Sequence, residues 1–360
     1  MVFPTILIIF VIQFTQRYLK LAKKDIIILG IESSCDDTSA SIIKNEAIYS
    51  NVIASQKIHE EYGGVVPELA SRAHQQNILP VVDVAIKKAN ISISDIDAIA
   101  FTSGPGLLGS LIVGTSFAKA MALGLNIPII SVNHMHGHVL AHFIDDKDKE
   151  KPTFPFICLT VSGGHTQIVL VKDYLEMEVI GTTIDDAAGE AFDKSAKLLG
   201  LSYPGGPLID KMAQSGNPNK YSFTKPKVTG YDYSFSGLKT NILQFLNREK
   251  KKDPDFIKNN INDICASIQK TIIDILFDKL IEAVEEHNIN EVAIAGGVSA
   301  NSELRARLVS EGKKREWKTH IPKFEYSTDN AAMIAIAGRY HFLKNDFAKQ
   351  SISASSRLNI

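Results

Sequence analysis

Two histidines four residues apart are the feature of this sequence that most directly suggests chemistry. His134 and His138 lie in the segment NHMHGH, and residues four apart share one face of an α-helix. Two imidazoles on one face can bind a single metal ion, although a helix that merely begins with several histidines would look the same. Met135 stands where the peptidase motif HExxH needs its glutamate base. The segment predicts a metal site whose third ligand comes from elsewhere, and an aspartate is the natural candidate.

Four carboxylates near turns or helix ends are candidates for further chemistry. Asp36 and Asp37 lie in the first polar turn, where a carboxylate can bind metal or accept a proton, but turn formation alone would explain them. Asp329 precedes the last predicted helix, where helix capping would also explain it. Asp193 lies on an acidic helix face that solvation would explain. Residue type alone leaves these roles open.

Glycine-rich turns recur along the chain, at residues 104–106, 162–164, 205–206 and 296–297. Glycine lets backbone N–H groups approach an oxyanion closely, and a helix N-terminus strengthens the attraction. One such turn is usually structural. Their recurrence favours a cleft for a nucleotide or an acyl phosphate.

The elements that must position these residues form a pattern that occurs twice: an apolar strand, a tight polar turn and a second apolar strand. Predicted strands cover residues 25–32, 38–43, 97–102, 127–132, 156–161, 166–171 and 291–295, and predicted helices cover 65–89, 186–199, 261–284 and 330–343. This arrangement indicates an α/β protein of two actin-like (ASKHA, ribonuclease H-like) domains that face a central cleft. In such folds the ligand lies at strand ends.

Length and composition set the domain organisation. The 360 residues suit two domains, which we predict at 25–150 and 151–345, with the last helix able to pack back on the first domain, an N-terminal extension at 1–24 and a tail at 346–360. The net charge of −1 excludes a uniformly basic RNA-binding surface. Three scattered cysteines indicate a reducing compartment. The apolar run 2–14 is too short to span a membrane, so no membrane association is expected.

A local RNA contact is one interpretation of residues 220–240, where aromatic residues alternate with lysines. Bases could stack on the aromatic rings while the lysines bind phosphates. Equally, the aromatic rings could anchor a loop to the core.

Eight segments, in order, resemble the motifs of the tRNA N(6)-adenosine threonylcarbamoyltransferase family: GIESSCDDTSASI, GPGLLGSLIVG, NHMHGH, VSGGHTQIV, IDDAAGEAFDKSAKLLGLSYPGGP, YSFSGLKT, GGVSANSELR and STDNAAMIA. The resemblance covers about residues 26–340. It implies the two-domain actin-like fold and transfer of a threonylcarbamoyl group from threonylcarbamoyl-AMP to N6 of adenosine 37, in tRNAs that read codons beginning with adenine.

The resemblance also implies roles for individual residues. One divalent metal ion per subunit, Fe²⁺ by preference or Zn²⁺, would be held by His134, His138 and Asp329, while Asp36 and Asp37 would match the family's acidic catalytic pair. The implied substrate-binding positions are Thr160, Val161, Ser162, Gly163, Gly164, Asp193, Gly206, Asp210 and Asn301. Implied partners are an inactive paralogue (TsaB) and a small ATPase (TsaE). The expected location is the cytoplasm, with the mitochondrial matrix as the alternative.

Three other functions remain as alternatives at this point. A metallopeptidase would use the histidine pair but lacks the glutamate base at Met135. An ATPase or sugar kinase of the same fold would use the glycine-rich turns without needing the histidines. A non-catalytic scaffold would need neither.

Overall fold

A computed structural model describes residues 25–146 and 149–359. The predicted extension 1–24 lies outside the described residues, as does part of the linker between the two predicted domains. The described chain contains two five-stranded sheets that share one topology.

The first sheet has the strand order β3-β2-β1-β4-β5. Its strands are β1 Ile27–Glu32, β2 Asp37–Lys44, β3 Ala47–Ser55, β4 Ala98–Gly104 and β5 Ile129–Asn133. The first three strands are antiparallel neighbours, whereas β4 and β5 continue the sheet in parallel from β1. All residues of β1 and β4 are buried, as expected for central strands that are covered on both faces.

The second sheet repeats this layout in the order β10-β9-β6-β7-β8. Its strands are β6 Phe156–Val161, β7 Thr166–Asp173, β8 Glu176–Thr182, β9 Glu291–Ala295 and β10 Lys318–His320. Again the first three form an antiparallel meander, and β9 and β10 extend it in parallel. The duplicated pattern predicted from the sequence is therefore confirmed as an α/β fold of two similar halves.

Helices cover both sheets. They are α1 Ile58–Tyr62, α2 Pro67–Ala89, α3 Leu108–Leu125, α4 His134–Leu140, α5 Ala188–Leu198, α6 Gly205–Ala213, α7 Ser236–Lys250, α8 Phe256–His287, α9 Ser302–Arg315, α10 Phe324–Ser327 and α11 Ala331–Leu343. By length and composition, α3 is the one helix of the described chain that could cross a membrane. Here it covers the first sheet, with Gly114 packed against Ser33.

The two sheets enclose α4 and α11 in a shared hydrophobic core. Alternate residues of β6 point to opposite sides: Phe156 and Cys158 join this central core, whereas Ile157 and Leu159 join the core under α5, α7 and α8. Helix α11 lies directly on β1, where a Cβ added to Gly30 would come within 2.4 Å of the Ala331 carbonyl oxygen. The fold thus brings the starts of α4 and α11, which carry the predicted metal ligands, to the interface between the halves.

Candidate metal centre and adjoining cleft

Helix α4 begins with the first predicted metal ligand. Asn133 is its N-cap: the side-chain oxygen accepts from the Met135 N–H at 2.8 Å. The helix holds His134 and His138 on one face, as the spacing predicted, with ring centroids 4.7 Å apart. The side chain of His134 is 8% exposed and that of His138 is fully buried.

The third predicted ligand meets this pair from the loop before α11. Oδ1 of Asp329 lies 3.4 Å from Nε2 of His134 and 3.2 Å from Nε2 of His138. Helix capping does not explain Asp329, because Asn330 is the N-cap and accepts from the Met333 N–H. One ligand atom from each of the three residues lies within 4.8 Å of the other two.

The environment of these residues fits a bound cation. Both ring nitrogens of His138 are buried, and neither makes a hydrogen bond within the described chain, although Nε2 lies 3.2 Å from the Asp329 carboxylate. Burial opposes protonation of His134, but the carboxylates of Asp329 and Glu32 outweigh it and raise the imidazole pKa well above its ordinary value. Burial alone would raise the pKa of Asp329, yet the two histidines lower it well below its ordinary value. Positive charge is therefore stabilised at this point.

Glu32 is a member of the site that the sequence analysis missed. Its side chain is fully buried, and Oε2 lies 3.0 Å from Nδ1 of His134. Burial opposes its ionisation, but the charge and hydrogen bond of His134 lower the pKa of the carboxyl below its ordinary value. The available signal was an acidic residue at the end of an otherwise apolar strand, IILGIE.

The predicted acidic pair divides into two environments. Burial, together with Asp36, Asp329 and Glu32, raises the pKa of Asp37 to about 6, against a hydrogen bond from Ser55. Asp36 is half-buried and lies near Tyr203 of the second half, whose pKa rises through burial and then through this carboxylate. Both carboxylates raise the pKa of Tyr203, and Asp36 has the larger effect, so the turn lies close to the second half.

Cys35 is unsuited to be a nucleophile. Burial, followed by the charge of Asp36, raises its thiol pKa far above the ordinary value. The thiolate is therefore disfavoured at this position.

A cavity of about 300 Å³ in the second half contains five of the predicted substrate-binding residues. These are Gly163, Asp193, Gly206, Asp210 and Asn301. The side chains of Thr160 and Val161 are buried within β6, so they support the following turn. Phe324, Lys211 and Gln214 also line the cavity and were not predicted.

Three of the cavity residues also hold helix N-termini. Oδ1 of Asp193 accepts from the N–H groups of Gly205 and Gly206, at 2.8 and 3.3 Å. Asp210 accepts from the backbone N–H and hydroxyl of Ser302 at the start of α9. Asn301 is the N-cap of α9. The acidic face predicted at Asp193 is therefore not simply solvated, because this carboxylate anchors α6.

Close backbone approach places the 162–165 turn beside this cavity. Gly296 has φ +84°, and an added Cβ would lie 2.5 Å from the Val161 carbonyl oxygen, so β9 ends directly against β6. The Ser162 N–H donates to the His165 carbonyl and is not available to a ligand. Within the described chain, no hydrogen bond engages the N–H groups of Gly163 or Gly164.

A second, larger cleft opens between the halves. It has a volume of about 740 Å³ and is lined by residues 60–65 of the first half and by Lys194, Lys197 and Tyr203 of the second. It shares Asp193 with the smaller cavity, so the two spaces adjoin.

The structure decides two points that the sequence left open. Phe223, Tyr233 and Phe235 of the 220–240 stretch are buried, so they anchor that segment to the core and do not offer stacking surfaces. The glycine-rich turn at 104–106 contacts the C-terminal tail, where the Gly106 N–H donates to the Ser356 carbonyl. It therefore does not line the cavity, and the tail is ordered against the first sheet.

Comparison with known proteins identifies the family of this chain. The family model described as tRNA N6-adenosine threonylcarbamoyltransferase matches residues 47–336. Two proteins of that name are similar to this chain: one from Christiangramia forsetii is 65% identical over 92% of this chain and 97% of its own length, and one from Porphyromonas gingivalis is 59% identical over 94% and 100%.

Solved structures share the fold at low sequence identity. HypF of T. kodakarensis superimposes with a TM-score of 0.57 at 14% identity, over 90% of this chain and 49% of HypF, so this chain spans about half of the HypF chain. This likeness shows the two-domain α/β fold alone. The metallopeptidase, kinase and scaffold alternatives find no support in the close relatives. The match over residues 47–336 and the identity to full-length relatives establish that the chain belongs to the tRNA N6-adenosine threonylcarbamoyltransferase family.

Proposed function

We propose that this threonylcarbamoyltransferase holds one divalent metal ion, Fe²⁺ or Zn²⁺, between His134, His138 and Asp329. The observation that carries the proposal is the approach of these three ligand atoms to within 4.8 Å. The buried ring nitrogens of His138, which make no hydrogen bond within the described chain, support it. Two imidazoles and a carboxylate suit either metal. When bound, the ion would supply positive charge that polarises carbamoyl or phosphate oxygens.

We further propose that threonylcarbamoyl-AMP is the donor and that its nucleotide occupies the 300 Å³ cavity. Asp193 is the best candidate to accept from a ribose hydroxyl, because the α6 amides occupy only its Oδ1. Asn301 is already committed through both side-chain atoms, to Leu304 N–H and to Gln269, so its contribution is to shape the wall. The uncommitted N–H groups of Gly163 and Gly164 can donate to the acyl-phosphate oxygens.

The chemistry then needs little beyond orientation and charge. N6 of the acceptor adenine forms a bond to the carbamoyl carbon, the bond from that carbon to the phosphate oxygen breaks, and AMP leaves. The proton released from N6 passes to the carboxylate of Asp36 or to water. Asp37 is the alternative acceptor, because burial raises its pKa to about 6 and a raised pKa makes a carboxylate a stronger base.

The acceptor tRNA would approach through the 740 Å³ cleft. Its walls come from both halves, and the space adjoins the cavity at Asp193. Tyr62, which is 62% exposed, offers a ring on which a base could stack. Lys197 at the rim offers a phosphate contact.

The direct test uses synthetic threonylcarbamoyl-AMP labelled in its threonine, purified protein and tRNA. Transfer of label to adenosine 37 should stop on chelation and return with Fe²⁺ or Zn²⁺. His138→Ala should lose transfer, whereas His136→Ala, on the same helix but outside the ligand set, should retain it. Full transfer by the chelated protein, or by His138→Ala, would refute the metal proposal.

Partner proteins and cellular location belong to the same proposal. We expect the chain to work in the cytoplasm with the inactive paralogue and the small ATPase that its family resemblance implies. Omitting these proteins should leave the labelled-donor assay intact at the first turnover. A requirement for them in that assay would place part of the active site on a partner.

A further inference from the structure

Glu32 lies directly behind the metal-facing histidine. It is the last residue of β1 and is fully buried. Its Oε2 contacts Nδ1 of His134 at 3.0 Å and accepts from the Thr102 hydroxyl at 2.6 Å, while Oε1 accepts from the Ser34 N–H. Both carboxylate oxygens are thus committed, and Glu32 lies outside the group of atoms that can reach a common metal ion.

The two nitrogens of His134 face different partners. Nε2 points to Asp329, 3.4 Å away, and Nδ1 points to Glu32. An imidazole that carries its proton on Nδ1 has a free lone pair on Nε2, which is the form that binds a metal. We infer that Glu32 is a positioning residue, which holds His134 with its proton on Nδ1 and its Nε2 lone pair toward the metal. This inference rests on the proposed metal site.

Ser34 is the competing partner. Its hydroxyl oxygen lies 3.2 Å from the same Nδ1 and could accept or donate there. Glu32 is nearer and can only accept when ionised, so it specifies one tautomer whereas a hydroxyl permits both. His138 has no such support, because neither of its nitrogens has a hydrogen-bond partner in the described chain. Within the histidine pair, Glu32 therefore orients His134 and not His138.

Glutamine cannot replace this carboxylate without a conflict. If its NH₂ group replaces Oε1, it faces the Ser34 N–H, and two donors oppose each other. If the NH₂ group replaces Oε2, it donates to Nδ1 of His134, and the proton of a neutral imidazole must move to Nε2. That proton then occupies the position of the metal. Glu32→Gln is therefore nearly isosteric, yet one orientation of its amide opposes two donors and the other selects the wrong form of the ligand.

The chain offers a matched control in a second buried pair. Nε2 of His320 lies 2.6 Å from Oε2 of Glu291, and both side chains are 7% exposed. This pair lies on the second sheet, at the start of β9 and in β10, and contributes nothing to the metal ligand group. Glu291→Gln makes the same chemical change in a similar environment, so it reports any general cost of altering a buried glutamate–histidine pair.

The experiment measures the apparent dissociation constant for Zn²⁺ by competition with a chromophoric chelator. Glu32→Gln should bind Zn²⁺ about 10- to 100-fold more weakly than the wild type, which is the usual effect of losing a carboxylate behind a metal-bound histidine. Glu291→Gln should bind as the wild type does. Transfer activity of Glu32→Gln should recover in part at saturating Zn²⁺, because the ligands themselves remain.

Each outcome bears on a separate claim. If the wild-type protein does not bind one Zn²⁺ ion per chain, the metal proposal itself is overturned, regardless of the result for Glu32→Gln. If Glu32→Gln binds Zn²⁺ as tightly as the wild type does, even with lowered stability, only the positioning role is overturned. Should Glu32→Gln not fold, ¹⁵N-histidine NMR of the Zn²⁺-loaded wild type decides: a proton on Nδ1 of His134 supports the inference, and metal on Nδ1 refutes it.

Discussion

Asp193 provides a prediction in which structural and binding roles can be separated. Its Oδ1 accepts from two amides at the start of α6, and the same side chain lines the proposed nucleotide cavity. Asp193→Ala removes both hydrogen bonds, whereas Asp193→Asn keeps an oxygen that can accept them. The two variants should therefore differ in stability and agree in ligand binding.

The magnitudes follow from these contacts. Loss of a side chain that caps a helix costs about 0.5–2 kcal/mol, so Asp193→Ala should lower the free energy of unfolding by that amount. For Asp193→Asn, loss of the charge at the helix N-terminus costs about 0.3–1 kcal/mol. Burial raises the pKa of Asp193 despite the two amide donors, so removing the charge also relieves a desolvation cost. The net change for Asp193→Asn should be small.

Affinity for AMP, unlike stability, should fall equally in the Ala and Asn variants. A hydrogen bond from a ribose hydroxyl to a carboxylate contributes about 1.5–3 kcal/mol, which corresponds to about 10- to 100-fold in affinity for AMP. Both variants should show this loss in calorimetric titration with AMP. Glu190→Gln changes a carboxylate on the same helix outside the cavity and should bind AMP normally. Equal unfolding free energies for the Ala and Asn variants would refute the capping role, and unchanged AMP affinity would refute the nucleotide contact.

Two further predictions concern the frame around the site. Deleting residues 346–360 removes the hydrogen bond from the Asn133 side chain to the tail. The truncated protein should therefore bind Zn²⁺ more weakly and unfold at a lower denaturant concentration. Unchanged Zn²⁺ affinity would mean that the tail does not support α4. The pKa of Glu46 is lowered because Lys151, Tyr340 and Arg339 outweigh burial, so the ionised carboxylate should stabilise the fold above its unfolded pKa and lose that effect as pH falls through the lowered value. Glu46→Gln should therefore cost about 1–2 kcal/mol at pH 7 and progressively less as the pH is lowered in a series of denaturant titrations.

The strongly patterned elements could be predicted from sequence. Strands β6 and β9 have the predicted bounds, because short apolar runs end at glycine-rich turns. Strands β3 and β8 were missed, since each is an edge strand of its antiparallel meander with a mostly exposed or half-buried pattern. Helix α8 extends beyond its predicted range at both ends, where polar residues continue the helix without adding to the apolar stripe.

The site was predictable where side-chain type limits the chemistry. The pair His134 and His138 followed from spacing, and Asp329 followed from the family resemblance. Glu32 could not be chosen from sequence alone, because its role depends on a contact with a residue 102 positions away. The dual use of Asp193 and Asp210 as helix anchors depends likewise on tertiary contacts.

The central claim is that His134, His138 and Asp329 hold one metal ion beside the nucleotide cavity. Crystals of the metal-loaded protein, measured on both sides of the zinc or iron absorption edge, test it most directly. We predict one anomalous peak, about 2.0–2.2 Å from Nε2 of both histidines and from a carboxylate oxygen of Asp329. A fully active protein without a peak at this position, or with its metal elsewhere, would contradict the account.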